Sequence, residues 1–329
     1  RFPSNGKRGD DAGHYVLHLD GIPAGHFGCW RAGVSEKWRA DIGRTLSPVE
    51  AAAHAARVEK MQRENDAEDA RRHAEARERA AAIWRAASPV ASDHPYLVRK
   101  CVSPVPALRE LLAREAATIL GYSPKAKGAA LAGRLIVVPV KVGAVLSTLE
   151  FIDEGGNKAA LAGGLKGGGY WSAQPLPDGD GMGLTLLIGE GVATALSARS
   201  ATGHAAVAAL SCGNLATVAR HFRERYPAAT IVMVADIGRG QEDAEHAARA
   251  IGGLVAVPDF GTNRAEGATD FNDMAQHRGA EAVREAIERA RAPNVSETIP
   301  ATPGAPPSDP ERAWPEPMDR AALHGIAGE

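Results

Sequence analysis

Residues 184–191 read LTLLIGEG, and residues 230–236 read TIVMVAD. Each is a short apolar run that ends in a carboxylate, close to glycine in the first case. This pattern is typical of buried parallel strands, and ligands bind at the carboxyl edge of such sheets. If the two strands are neighbours, Glu190 and Asp236 face one crevice. Paired carboxylates at that edge predict a magnesium-type site.

Apolar runs and helical patterns alternate throughout residues 184–292. Strands that alternate with helices predict an α/β fold, a parallel sheet flanked by helices on both faces. The predicted strands are 184–188, 205–209, 230–235 and 254–257, and the predicted helices are 192–200, 215–225, 242–251 and 280–291. We assign this domain to residues 181–292.

Residues 88–180 predict a small mixed α+β subdomain before the parallel sheet. A helical pattern covers residues 108–117, and two β runs at 133–141 and 145–152 lead to a hairpin turn at 153–157. The segment is locally basic, so we expect it to hold a single-stranded template and nucleotide phosphates. The candidate side chains are Lys125, Lys127, Arg134, Lys141, Lys158 and Lys166.

A glycine-rich stretch, residues 161–171, places Lys166 among five glycines. Such a loop lets the backbone approach phosphates, but it lacks the Gly-Lys-Ser/Thr ending and the following helix of a P-loop. An alternative interpretation is a flap whose Tyr170 and Trp171 pack in the core. The sequence leaves both interpretations open.

Residues 1–46 predict a small β module, because an Asp-Gly pair at 20–21 separates two short β runs. Three histidines and Cys29 lie in these runs. They do not predict a zinc site, since a second cysteine is missing.

Residues 47–87 predict one long charged helix that begins with Ser47 as N-cap and Pro48 in the first turn. Acidic and basic residues alternate along it, with alanine as the main apolar residue. The apolar stripe is too narrow for a buried helix, so we interpret the segment as a solvated spacer. A nucleic-acid-binding arm is the alternative.

The composition is that of an ordinary globular protein large enough for two domains. Its 329 residues are 44% hydrophobic and 24% charged, and the net charge of −2 gives no global basic signature. Three widely spaced cysteines argue against a disulfide framework and favour a reducing cytoplasm. Since no apolar run approaches ~18 residues, we expect no membrane segment.

Residues 293–329 predict a proline-rich linker, up to residue 313, followed by the start of another domain. The chain begins at Arg1 without Met and stops soon after a new helical pattern begins. We therefore expect it to be a piece of a longer protein.

Glycines on both sides of Glu190 predict that phosphates can approach its carboxylate, at a helix N-terminus that favours anions. A metal held by Glu190 and Asp236 would neutralise charge during phosphoryl transfer, and Glu190 could instead act as a general base. The alternative is that both acids only cap helices.

Several short motifs together resemble the Toprim domain, which bacterial-type primases share with type IA and type II topoisomerases and some nucleases. The wider region, residues 1–292, resembles the primase-like part of phage and plasmid replication proteins. The motifs are GEGVATA at 189–195, VAD at 234–236, TDFND at 269–273, DHPYL at 93–97 and GGLVAVPDF at 252–260.

The resemblance implies a primase with Mg²⁺ or Mn²⁺ as cofactor and with single-stranded DNA and ribonucleotides as partners. It also implies a helicase-like ATPase domain after the linker, because residues 314–318 onward resemble the start of one. A topoisomerase is not expected, since no separate domain offers an obvious cleavage tyrosine.

One position departs from the family pattern. Toprim proteins usually carry Asp-x-Asp after the third strand, whereas here Asp236 is followed by Ile237 and Gly238. Nearby acids are candidates to replace the missing carboxylate. Asn272 is a candidate to form hydrogen bonds with the backbone of the loop at 269–273. The further metal-ligand candidates are Glu242, Asp243, Asp270 and Asp273.

Three functions therefore remain open at the level of sequence. The first is a primase-like nucleotidyltransferase that makes short primers with a divalent metal at Glu190 and Asp236. The second is a Toprim nuclease that uses the same acids to activate water. The third is a nucleic-acid-binding module without catalysis, which Gly238 favours.

Overall fold

The computed structural model describes residues 13–18, 23–29, 34–40, 47–262 and 264–293. The chain divides into two compact units, Arg1–Glu75 and Ala76–Glu329. Within the described ranges, no helix has the length and apolar character needed to cross a membrane. The proline-rich linker beyond residue 293 and the segment that follows it lie outside the described residues.

The first unit contains the predicted β module. Its strands are β1 (Gly13–His18), β2 (Ala24–Cys29) and β3 (Val34–Arg39). They pair antiparallel in the order β1-β2-β3. The predicted pairing of two β runs is confirmed, while the Asp-Gly turn between them lies outside the described residues.

Helix α1 (Pro48–Ala86) confirms the predicted long helix. At its start, the Ser47 amide donates to Glu50 Oε2 at 3.0 Å and the Glu50 amide donates to Ser47 Oγ at 3.3 Å. This reciprocal pair satisfies two amide donors at the helix start. Ion pairs one turn apart, such as Arg71 with Glu68 at 2.7 Å, line its exposed surface.

The last turns of α1 belong to the second unit, where their apolar side chains are buried. Ala76, Ala80 and Ile83 join a core cluster that includes Leu135 and Phe151. The solvated interpretation therefore holds for most of the helix and fails for its last turns.

An antiparallel sheet of five strands, in the order β10-β9-β8-β5-β4, forms the α+β subdomain. The two long predicted β runs and the hairpin after them are confirmed. The elements are β4 (Ser88–Pro89), α2 (Pro95–Lys100), β5 (Arg109–Leu112), α3 (Ala113–Leu120), β6 (Lys125–Ala126), β7 (Ala129–Ala130), β8 (Arg134–Val142), β9 (Val145–Ile152) and β10 (Lys158–Ala160).

The predicted helix at 108–117 is partly wrong, because Arg109–Leu112 forms strand β5 and α3 begins only at Ala113. Strand β5 pairs with β8, with Arg109 opposite Val137. The Arg109 guanidinium also lies 4.5 Å from the centre of the Trp84 ring. Pairing with a distant strand outweighs the local helical pattern.

A second sheet, in the order β11-β13-β12-β14-β15, confirms the predicted parallel sheet, with β11 as an antiparallel edge. The strands are β11 (Trp171–Ser172), β12 (Thr185–Gly189), β13 (Ala205–Ala208), β14 (Thr230–Val234) and β15 (Leu254–Ala256). The helices are α4 (Val192–Thr202), α5 (Leu215–Arg225), α6 (Arg239–Ile251) and α7 (Phe271–Glu288).

Side chains of β12 alternate between two core clusters. Leu187 packs with α4 and α7 on one face, and Leu186 and Ile188 pack with α5 and α6 on the other. The first of these clusters also contains Trp171 and core residues of the α+β subdomain. The two sheets thus share a core within one compact unit.

The last predicted helix, at 280–291, is confirmed as the part of α7 that follows a break at Gly279, where φ is 79° and ψ is 172°, although this helix ends at Glu288. The sequence did not predict the part of α7 from Phe271 up to the break. Asp270 caps the start, because its side chain accepts a hydrogen bond from the Asp273 amide. The sequence predicts metal binding for these two acids, and their capping contacts become visible only in the structure.

We expect Ile83→Ala to lower the free energy of unfolding by about 2–5 kcal/mol, because it leaves a cavity in the core. The matched change Val58→Ala, at a half-exposed position of the same helix, is expected to change it by less than about 0.5 kcal/mol. Urea denaturation followed by circular dichroism measures both. Equal losses would contradict the division of α1 into solvated and buried parts.

Candidate functional site

Strands β12 and β14 are direct neighbours, as the sequence predicted. Gly189 of β12 lies opposite Val234 of β14 in parallel register. Glu190 and Asp236 follow these paired residues by one and two positions. Both acids therefore emerge from the carboxyl edge of the sheet, beside the start of α4.

Gly189 is needed for this close pairing. A Cβ atom at position 189 would come within 2.8 Å of Val234 Cγ2, closer than side chains tolerate. Gly191 then caps α4 without a side-chain hydrogen bond. Amide groups in the first turn of α4 thus remain available for an anion.

Burial dominates the electrostatics of both acids. Burial, followed in order by the negative charges of Asp270, Glu190 and Asp273, raises the pKa of Asp236 to about 7, against the opposing effect of Lys158. Burial also raises the pKa of Glu190, against the opposing effect of Lys158. The buried Oδ1 of Asp236 has no hydrogen-bond partner among the described residues.

The loop before α7 folds back onto the sheet edge. The Ile237 amide donates to Thr269 O at 2.8 Å, which ties the loop to the end of β14. Asp270 Oδ1 accepts from the Asp273 amide at 2.7 Å, and its Oδ2 accepts from Thr194 Oγ1 at 3.0 Å. Asp270 is thereby held against α4.

Asp273 completes this cap from the other side. Its Oδ2 accepts from the Thr269 amide at 3.0 Å, and its Oδ1 pairs with Lys100 Nζ at 3.4 Å. Asn272 is fully buried, and its Nδ2 donates to Lys100 O at 2.6 Å. The structure therefore gives Asp270 and Asp273 capping roles as well as a place beside Asp236.

The two acids at the start of α6 differ in exposure. Asp243 is half-buried, and its charge raises the pKa of Glu190. Glu242 is exposed. Gly238 precedes α6 with φ 96° and ψ −139°, a backbone conformation that favours glycine. Position 238, where the Asp-x-Asp pattern places its second acid, therefore has a backbone conformation in which an aspartate would be strained.

The acids do not form a closed metal cage. Across the described residues, no group of three or more His, Cys, Asp or Glu side chains is arranged to hold a metal ion by itself. Mg²⁺, however, is usually bound by one or two carboxylates together with waters and substrate phosphates. The unpartnered Asp236 Oδ1 and the surrounding negative charge fit a divalent cation held in that way.

The six basic candidates are distributed over several surfaces. Lys125 and Lys127 lie on the small β6–β7 hairpin, and Lys141 lies near the end of β8; all three are exposed. Lys158 and Lys166 reach the acidic edge, since their positive charges lower the pKa of Glu190 against the effect of its burial.

Arg134 has carboxylate partners on three sides. Its guanidinium lies 2.9 Å from Asp93, 3.7 Å from Glu154 and 3.9 Å from Glu110. Lys166 Nζ lies 2.5 Å from Glu150 Oε2, an almost completely buried carboxylate. Both cations therefore make ion pairs inside the α+β subdomain.

A cavity of about 230 Å³ opens next to the acidic edge. Its basic lining comes from Arg99 and Lys100 of α2 and from Lys158 of β10, and its floor includes Gly191 and Thr194 of α4. Arg99 and Lys100 are not among the basic residues that the sequence predicts to bind phosphates. Their adjacency in sequence was the only available signal.

His94 fixes the helix that carries these two cations. It is fully buried, its Nδ1 accepts from the Tyr96 amide at 3.2 Å, and its Nε2 lies 3.1 Å from Arg134 O. Burial lowers the pKa of its imidazole. His94 is therefore a core residue that connects α2 to the start of β8.

Residues 185–299 match the model of the Toprim domain family. Two proteins of Escherichia coli, each described as "DNA primase TraC", are 29% and 28% identical to the chain over 264 and 268 residues. These alignments cover 77% and 78% of this chain but 23% and 17% of the relatives. The chain thus spans less than a quarter of their length.

Two solved structures align with the chain at low similarity. "Structure of the DnaG primase catalytic domain bound to ssDNA" has a TM-score of 0.44 and 13% identity, over 68% of this chain and 80% of that chain. The Aquifex aeolicus primase, with its zinc-binding and RNA polymerase domains, has a TM-score of 0.45 and 17% identity, over 85% and 79%.

The predicted Toprim domain within a primase-like region is confirmed by the family match and the TraC relatives. A fusion to a helicase stays a prediction, as do the division of the chain into five segments and the functions of the site residues.

We expect Asp236→Asn to stabilise the metal-free protein at pH 8. Folding raises the pKa of this acid from 3.8 to about 7, so ionised Asp236 costs the wild type stability on the order of 4 kcal/mol. This penalty is absent below the unfolded pKa and grows as the pH rises towards the folded pKa. Thermal unfolding in EDTA from pH 4 to pH 8 measures it.

The same variant tests the cation site when Mg²⁺ is added. The wild type is expected to gain melting temperature with Mg²⁺, because a ligand that binds only the folded state stabilises it, and Asp236→Asn is expected to gain little. Equal gains in both proteins would contradict a cation site at Asp236.

Proposed function

We propose that this chain carries the catalytic centre of a DNA primase, a nucleotidyltransferase that makes short RNA primers on single-stranded DNA with Mg²⁺ or Mn²⁺. One observation carries the proposal. Half-buried acids at the ends of two neighbouring strands adjoin a cavity lined by three cations and a helix start. Primer synthesis needs both features, because a 3′-hydroxyl attacks the α-phosphate of a nucleoside triphosphate and pyrophosphate leaves.

Glu190 and Asp236 would hold the divalent cation in this proposal. When bound, the cation supplies charge neutralisation at the phosphates and lowers the pKa of the hydroxyl that attacks them. The requirement for ionised ligands fits Asp236, whose pKa of about 7 leaves it ready to lose its proton on cation binding. Asp270 and Asp243 add negative charge around the site.

Glu190 is also a candidate general base in this proposal. Burial moves the pKa of its carboxyl upwards, towards physiological pH. A general base transfers protons most efficiently when its pKa lies near the working pH. Its position beside Gly191 leaves room for a substrate to approach.

The cavity is suited to the triphosphate of an incoming ribonucleotide. Arg99 is held in place, since its guanidinium donates to Glu154 O at 2.7 Å and lies 5.6 Å from the centre of the Tyr96 ring. Lys158 is exposed at the other wall. Together with the first-turn amides of α4, these cations match the charge of phosphates.

The TraC relatives support primase chemistry, since both carry the name DNA primase. Single-stranded DNA is the template in this proposal, and Lys125, Lys127 and Lys141 are candidates to contact its backbone. A helicase-like ATPase domain after the proline-rich segment is part of the proposal as well.

Gly238 favours a second candidate, a nucleic-acid-binding module without catalysis. Its backbone conformation excludes the second acid of the Asp-x-Asp pattern without rearrangement of the loop. A Toprim nuclease would use the same acids to activate water. Primer synthesis and plasmid nicking, measured under the same conditions, separate the three functions.

We expect Glu190→Gln to reduce primer synthesis by about 100-fold or more, because the change removes one charged cation ligand while retaining its shape. The assay is incorporation of ribonucleotides on single-stranded DNA with Mg²⁺ or Mn²⁺. Glu224→Gln, an exposed change on α5, serves as the charge-matched control.

Plasmid nicking under the same conditions tests the nuclease. Nicking without primer synthesis, lost in Glu190→Gln, would replace the primase proposal by the nuclease. Neither activity in the wild type, with unchanged DNA binding in Glu190→Gln, would favour the binding module.

We expect Lys158→Gln to raise the KM for ribonucleoside triphosphates by about 10-fold, because it removes one charged contact from the cavity. The effect on kcat should be smaller. Steady-state primer synthesis at varied nucleotide concentration measures both constants. Lys60→Gln, on the exposed part of α1, is the control, and an unchanged KM in Lys158→Gln would exclude the cavity as the triphosphate site.

A further inference from the structure

The glycine loop, residues 163–169, connects the two sheets of the second unit. It follows β10 of the α+β subdomain and leads into β11 at the edge of the parallel sheet. Tyr170 and Trp171 at its end are buried, so the interpretation that packs these aromatics in the core is confirmed. The loop itself contacts the turn after β13, residues 209–214, through a set of hydrogen bonds.

Asn214 is the centre of these contacts. Its side-chain oxygen accepts from the Gly168 amide at 2.8 Å, and its Nδ2 donates to Gly169 O at 2.7 Å and to Ala209 O at 2.9 Å. Asn214 is only 7% exposed. One buried amide group therefore holds the glycine loop and the end of β13 together.

Lys166 adds a second connection between the same segments. Its Nζ donates to Leu210 O at 3.1 Å while it pairs with Glu150. Glu150 is buried in the α+β sheet, and its Oε1 has no hydrogen-bond partner among the described residues. The ion pair with Lys166 therefore compensates the charge of Glu150, because an unpaired buried carboxylate is costly.

The turn after β13 in turn holds the backbone of the acidic edge. The Ala209 amide donates to Gly189 O and the Leu210 amide donates to Glu190 O, both at 2.8 Å. Leu210 has φ 66°, a left-handed conformation that is rare for leucine. Such a conformation persists only where the surrounding contacts impose it.

We propose that Asn214 is a positioning residue for Glu190. It ties the glycine loop to the turn at 209–210, and that turn fixes the backbone of Glu190. The inference rests on the proposed role of Glu190 in a magnesium-dependent reaction.

The position of Asn214 explains why an asparagine is needed there. Only a side chain with both an acceptor and two donors satisfies one amide and two carbonyls at once. Leucine has nearly the same shape and makes none of these bonds. Aspartate keeps the acceptor for Gly168 and places its other oxygen against the two carbonyls.

The test compares Asn214→Leu with the wild type. We expect kcat for primer synthesis to fall by about 10-fold or more, with the KM for ribonucleotides within about 2-fold, because Asn214 does not line the cavity. The Mg²⁺ concentration that gives half of the thermal stabilisation should rise by a similar factor. Ile83→Ala is the control for a general loss of stability, and at a temperature where it is folded it should keep both values.

Hydrogen exchange provides a measurement that does not depend on activity. In Asn214→Leu we expect the amides of Gly168 and Leu210 to exchange at least about 10-fold faster, while amides in the buried end of α1 keep their rates. If Asn214→Leu does not fold, Asn214→Asp takes its place in every measurement and is expected to change them in the same direction.

Two outcomes would overturn the inference. One is a wild-type kcat and Mg²⁺ half-saturation in a folded Asn214 variant, and the other is unchanged exchange at Leu210. If the wild type shows neither primer synthesis nor stabilisation by Mg²⁺, the proposed function fails and the role towards Glu190 fails with it. Exchange at Gly168 and Leu210 then still decides whether Asn214 holds the turn.

Discussion

Two half-buried carboxylates at the ends of neighbouring strands impose the main constraint on this structure. Burial raises the pKa of Glu190 and of Asp236, so each ionised acid needs a compensating charge nearby. Lys158 and Lys166 of the α+β subdomain carry charges of the required sign. The two sheets share one apolar core, and both lysines lie where their charges lower the pKa of Glu190. A chain that kept the parallel sheet alone would leave its acidic edge without those cations.

Four basic residues of the α+β subdomain form two groups according to their partners. Arg134 and Lys166 pair with carboxylates of their own subdomain, at 2.9 Å from Asp93 and 2.5 Å from Glu150. Arg99 and Lys158 line the cavity instead. The first group stabilises the protein and the second is placed to meet a ligand. Composition alone could not separate the groups, because both consist of the same residue types.

Sequence patterns predicted the elements whose signals are local. The parallel strands follow from apolar runs, and α1 follows from its N-cap and charge pattern. Strand β5 was missed because only pairing with β8, more than twenty residues later, makes it a strand. The cavity was missed for the same reason, since Lys100 meets Asp273 across 173 residues of sequence. Long-range contacts of this kind leave no periodic signal in a single sequence.

Gly238 shows how a site can keep its charge while a motif loses a residue. The loop after β14 takes a backbone conformation that favours glycine at 238, and Thr269 O holds the preceding Ile237 amide at 2.8 Å. That hydrogen bond draws the loop before α7 against the sheet edge. Asp270 and Asp273 arrive with it, and their charges are among the causes that raise the pKa of Asp236. Negative charge around Asp236 therefore comes from the loop before α7, another part of the chain. A cation at Asp236 would be surrounded by negative charge even though position 238 carries no acid.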